Sequence, residues 1–165
     1  MKVRLTSSIA FAWIAGTVPA AAAGCPIERA VYAESETKIE IRFQPSGEDS
    51  PVSHRFVLAA PSGKMTVEGH VMFDPEIERP VAMAMHDCPE GDVTGADLAA
   101  CTVWTGIIYA SDKATGHVDL LPSEGADAPA SLVLPGFGPA VSRSVLGKDL
   151  SAMPWDVFEL KECGQ

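Results

Sequence analysis

Thioether and imidazole side chains come together at Met83-Ala84-Met85-His86, and these are the soft ligands that hold copper(I) in an exported protein. Met65, Met72, His54 and His70 fall in segments that can form neighbouring strands. Alternation along a strand puts Met83 and Met85 on one face and His86 on the other, so the three converge only through a bulge or with a ligand from elsewhere. The competing reading is methionine as adaptable core filler. An acidic segment follows at once, Asp87-Cys88-Pro89-Glu90-Gly91-Asp92 with Thr94 and Asp97 behind it. A hard cation such as calcium takes several oxygens from one flexible segment, but the spacing is not that of an EF-hand loop. Glu90-Gly91 reads equally well as a solvated turn.

A third candidate is Pro135-Gly136-Phe137-Gly138-Pro139. A rigid loop presenting an aromatic ring loses little entropy on binding, so Phe137 suits partner recognition. The competing reading folds the ring inward to plug the end of a barrel. Trp104 and Trp155 are read as core or core rim, with a binding surface as the lesser alternative. Raw materials for catalysis exist in the serines, the carboxylates and His54, His70, His86 and His117. No Gly-x-Ser-x-Gly elbow, His-Glu-x-x-His helix or Gly-rich phosphate loop arranges them, and no cofactor fingerprint is present.

The elements that must position these residues begin after a leader. Lys2 and Arg4 precede an uncharged, largely apolar stretch from Leu5 to Val18, and small residues run from Pro19 to Gly24. That layout predicts a secretory signal peptide over residues 1–23 and a single exported β-rich domain over 24–165. The apolar stretch of about 14 residues is short of the roughly 20 that a spanning helix needs, so no membrane span is expected. In an oxidising compartment Cys25, Cys88, Cys101 and Cys163 form an even set. Of the three possible pairings the favoured one is Cys88 with Cys101, a short local loop, and Cys25 with Cys163, tying the termini together. Ala22-Ala23-Gly24-Cys25 also resembles a bacterial lipoprotein box with Ala in place of the usual Leu, and lipidation at Cys25 is the alternative.

Thr37 to Phe43 alternates cleanly, with Ile39, Ile41 and Phe43 on one face and Lys38, Glu40 and Arg42 on the other. Similar runs recur at Arg55 to Ala59, Met65 to Phe73, Val81 to His86, Val103 to Ala110, His117 to Leu121, Ser131 to Leu134 and Trp155 to Leu160, separated by Gly, Pro, Ser and Asp. About eight short strands predict an all-β, mainly antiparallel sandwich or barrel. Two short helices interrupt it. Thr94 and Asp97 form a capping-box pattern ahead of Leu98-Ala99-Ala100; farther on, Pro139 stands at a first helical position, Val141 and Val145 share a face, and Gly147 ends the helix.

The full chain carries a formal charge of -10, and a mature chain lacking Lys2 and Arg4 but no acid carries -12. Such a surface repels phosphates, which argues against nucleic acid and favours a basic protein or a metal cation. The expected function is a non-enzymatic binding or accessory module of the bacterial cell envelope, an inhibitor or immunity-type protein for a basic periplasmic partner. Metal handling through Met83, Met85 and His86 is the first alternative and a small envelope hydrolase the second. In bulk properties, namely size, acidity and disulfide staples, the chain resembles bacterial periplasmic lysozyme inhibitors, although no motif of theirs matches these residues. The expected location is periplasmic or secreted.

Overall fold

A computed structural model describes residues 24–61, 63, 66–92, 94–113 and 115–164. The proposed signal peptide over 1–23, and Met65, lie outside the described residues. After a 3-10 turn at Ile27–Arg29, ten strands follow in chain order: β1 Ala30–Glu34, β2 Glu40–Gln44, β3 His54–Ala59, β4 Thr66–Asp74, β5 Arg79–Met85, β6 Thr102–Gly106, β7 Tyr109–Ser111, β8 Val118–Leu120, β9 Ser131–Val133 and β10 Val157–Cys163. Helix α1, Gly95–Cys101, precedes β6; helix α2, Phe137–Arg143, and a second 3-10 turn at Gly147–Asp149 precede β10. The class is all-β, with ten strands where the sequence shows about eight runs.

All ten strands belong to one sheet, in the order β6-β5-β4-β3-β2-β1-β10-β9-β7-β8, and every pairing is antiparallel. Its shape follows from one short connection. β6 is an edge strand and β7 lies near the opposite edge, yet only Ile107 and Ile108 separate them. Three peptide steps span at most about 11 Å, so the sheet must curl until its two ends are neighbours. The result is a half-barrel, with its core on the concave side.

Alternation supplies that core. Inward residues across five strands form one rung, Phe43, Phe56, Gly69, Ala84 and Trp104, aligned by register, and all but the glycine are buried hydrophobics. Gly69 is required there, because a Cβ would stand 2.1 Å from the Phe56 ring. The open side is closed by α2. Phe137 is fully buried and packs edge-on against Phe158 of β10 at 5.2 Å and Trp104 of β6 at 6.0 Å, bridging the β6 edge and the interior strand β10 across the curled sheet.

Three local differences from the sequence pattern have physical causes. The strand expected from Thr37 starts at Glu40, because the buried Glu34 carboxylate accepts hydrogen bonds from the backbone N–H groups of Glu36, Thr37 and Ile39 and folds 34–39 into a turn, with Lys38 at φ 62°. The run Val103 to Ala110 is divided between β6 and β7, which serve opposite ends of the sheet. α2 begins at Phe137 rather than Pro139, and Val145 and Gly147 lie beyond its end. Its N-terminal amides are met by Asp156, whose carboxylate accepts from Gly136 N and Gly138 N, both at 2.8 Å. α1 follows the pattern: Thr94 accepts from Asp97 N while the Asp97 carboxylate accepts from Thr94 N.

Both disulfides join the expected partners, Cys25 with Cys163 and Cys88 with Cys101, and no free cysteine remains among the described residues. The first pins the segment before β1 to the end of β10, and the second pins α1 to the segment after β5. With its sulfur bonded to Cys163, Cys25 has none to offer a lipid thioether. Among the described residues no helix is long and apolar enough to cross a membrane.

Candidate functional site

β4 and β5 form the longest hairpin, paired over seven residues from Glu68↔Met85 to Asp74↔Arg79. The flanking strands stop earlier. β3 ends its pairing at His54↔Val71 and β6 at Ala82↔Gly106, so residues 72–81 run on with no strand on either side. Three further rungs at about 3.3 Å each carry the turn roughly 10 Å past the sheet edge. Local chemistry explains the turn. Asp74 Oδ1 accepts from Glu76 N at 2.8 Å, Pro75 fixes its own backbone, Glu78 takes φ 53°, and Arg79 Nη1 donates to Glu78 O at 2.9 Å.

What the tip presents is apolar. Phe73 is 63 % exposed, Ile77 53 % and Met72 43 %, with Pro75 and Pro80 beside them. Phe73 continues the inward row of Val67, Gly69 and Val71 past the point where anything covers it, and Met72 points to the outer face. Around these side chains stand Asp74, Glu76 and Glu78 against a single base, Arg79. Exposed aromatic and aliphatic side chains on the two faces and turn of a proline-containing projection, with carboxylates among them, have the make-up of an interface anchor with a charged rim.

The residues singled out from sequence are distributed differently. Met83 and Met85 are half-buried on the outer face of β5, and among the described residues no methionine belongs to the buried core, so the core-filler reading fails for both. His86 does not join them. Its Nδ1 lies 3.2 Å from Thr66 O and its Nε2 3.3 Å from Asp87 Oδ2, and it faces a different cleft. His54 is buried inside, with Nε2 donating to Pro122 O at 2.8 Å and Nδ1 3.0 Å from Ser53 Oγ. Burial pulls its pKa below the ordinary histidine range, against the opposing pull of the Pro122 carbonyl and of Glu124 and Glu28. Phe137, offered as a partner-binding ring, is fully buried and unavailable to a partner, because the Asp156 cap and the Pro-Gly frame turn it into the core. Trp104 is buried, its Nε1 donating to Pro135 O at 3.2 Å. Trp155 is not core: the residue is 57 % exposed beside Lys38 and Lys161, and its backbone N donates to Glu34.

In and behind the acidic segment after β5, Asp87 pairs with His86 and Asp97 serves α1. Asp97 completes the α1 capping box with Thr94, and its pKa is lowered by the Thr94 hydroxyl and amide. His86 and Asp87 open onto a cleft of about 530 Å³ with Asp97, Leu146, Lys148 and Asp149. An acid–base pair is therefore present, but the residues lining that cleft include no hydroxyl, and its one cysteine is disulfide-bonded. No group of three or more His, Cys, Asp or Glu among the described residues is placed to hold a metal ion.

The chain matches no protein-family model, no curated protein and no solved structure. The hairpin tip is not among the candidates that the sequence pattern singles out, although Phe73-Asp74-Pro75-Glu76-Ile77-Glu78-Arg79-Pro80 carries a signal: two large apolar residues inside a turn rich in proline and acid.

Proposed function

We propose that the mature chain is a non-enzymatic binding module of the bacterial cell envelope, exported to the periplasm or beyond, which engages a basic protein through the tip of the β4–β5 hairpin. The observation that carries this reading is the exposure of Phe73, Ile77 and Met72 together on a projection that no neighbouring strand covers. Charge selects the partner. The tip is acidic, the mature chain as a whole carries -12, and complementary potentials raise association rates and reject acidic competitors. Pro75 and Pro80 limit the entropy lost on docking. Two disulfides suit the oxidising compartment in which such a module works. An inhibitor or immunity-type role, in which the tip fills the cleft of a basic enzyme, is the specific form of the proposal.

The test mixes purified mature protein with a basic muramidase and measures inhibition and co-elution at low and high salt. Binding that weakens with salt, and that F73A together with I77A lowers by about 2 kcal/mol or more, is the expected outcome. Neither inhibition nor co-elution sinks the muramidase version; tight binding untouched by the tip variants removes the hairpin from the interface.

A further inference from the structure

The outer face of the same two strands, at the base of the hairpin, carries a second constellation. Along β4 the outward residues are Glu68, His70 and Met72, and along β5 they are Val81, Met83 and Met85, because the alternate residues Val67, Gly69, Val71, Ala82 and Ala84 are buried inside. The register sets His70 directly opposite Met83 and Glu68 opposite Met85, so Met85 and Met72 stand on the diagonals of His70 and Met83. Directly opposed Cβ atoms are about 5 Å apart and diagonal ones up to about 8 Å, within reach of long thioether side chains. Glu68, His70 and Met85 line one shallow cleft of about 330 Å³.

We propose that this face binds a soft monovalent cation, copper(I) or its analogue silver(I), through the thioethers of Met83 and Met85 and the imidazole of His70, with Met72 as a further thioether at the rim. Thioether and imidazole together select such ions over calcium or magnesium. His70 has no hydrogen-bond partner among the described residues, and no buried side-chain nitrogen there lacks one, so its ring nitrogens open to solvent and stand free to ligate. Both disulfides are closed, so no thiol among the described residues competes for the ion. Methionine on the outward side of paired strands contributes nothing to the core, and a ligand role accounts for three of them on one patch. The site differs from the sequence expectation in its imidazole: His70, brought in by strand register, takes the place assigned to His86. It shares only Met72 with the tip, and its core ligands Met83, Met85 and His70 lie outside the surface proposed to meet a partner.

Silver nitrate is titrated into the disulfide-intact protein in chloride-free buffer without reductant, following methionine methyl and histidine ring resonances. The expected result is one silver ion per chain, bound more tightly than about 1 μM, with the Met83 and Met85 methyls and the His70 ring shifting together. M83L with M85L keeps the apolar volume and weakens binding by more than about tenfold, as does H70N, while H86Q leaves it unchanged. Full affinity in the Leu variant, or shifts confined to His86 or His117, overturns the proposal. Should the Leu variant unfold, H70N, an outward and solvent-facing change, decides between the same two outcomes: weakened binding supports the site and full affinity overturns it.

Discussion

A carboxylate at 1 % exposure survives only if its charge is met, and Glu34 is surrounded by donors: the amides of Glu36, Thr37, Ile39 and Trp155 and the Thr37 hydroxyl. Burial alone would raise its pKa, yet the Thr37 hydroxyl and these amides outweigh that and hold it below the usual carboxylate value. The folded pKa is depressed, so the stability it confers is present above the unfolded carboxylate pKa and is lost as pH falls through the folded value. E34Q is expected to cost about 2 kcal/mol at neutral pH, and the gap to the parent closes below about pH 4. Urea unfolding at pH 7 and pH 3 reads both. Asp156 is a second such residue, capping α2 from 20 positions downstream: D156A should cost about 1 kcal/mol in the same assay. The Asp156 role is not legible in sequence, because its partners lie about 20 residues upstream; Glu34 binds donors two to five residues ahead, but its burial and the Trp155 amide come only with the tertiary fold. The Thr94 and Asp97 cap, with both members three residues apart, is legible.

At the scale of elements, patterns that are complete within a segment can be read and those that depend on neighbours cannot. Ile41 and Phe43 alternate with charges and mark β2. β1 escapes the pattern because Ala30-Val31-Tyr32-Ala33-Glu34 is buried along nearly its whole length and so does not alternate. The β4–β5 tip is hidden for another reason: Phe73 has the inward parity of a core residue, and it is exposed only because β3 and β6 stop short. His70 meets Met83 through register, which two separate segments cannot disclose. The Cys88–Cys101 bond closes a loop of about 14 residues around α1, a helix with no fully buried residue. Replacing both with Ser should lower stability by about 3 kcal/mol and release α1 before the sheet, as hydrogen exchange would show.

Across the whole molecule, the ten strands fall into two runs, β6 to β1 and β9, β7 and β8, joined in the sheet by β10 alone. The Cys25–Cys163 bond holds that seam at one end, and β1 pairs with β10 along Ala30 to Glu34. Closing a loop across a separation of 138 residues is worth about 5 kcal/mol in the chain-entropy account. The double Ser variant should therefore lose more stability than the Cys88 and Cys101 variant, measured by the same urea titration.

The place of β10 also sets a schedule. It is the last of the ten strands in chain order and the one that unites the sheet, so the strands before it wait as two unfinished parts until it arrives. A chain built this way has high contact order and condenses late. Under the export route proposed above, slow condensation would keep the polypeptide threadable. The seam that makes the finished half-barrel cohere is thus also the step on which completion of the whole sheet depends.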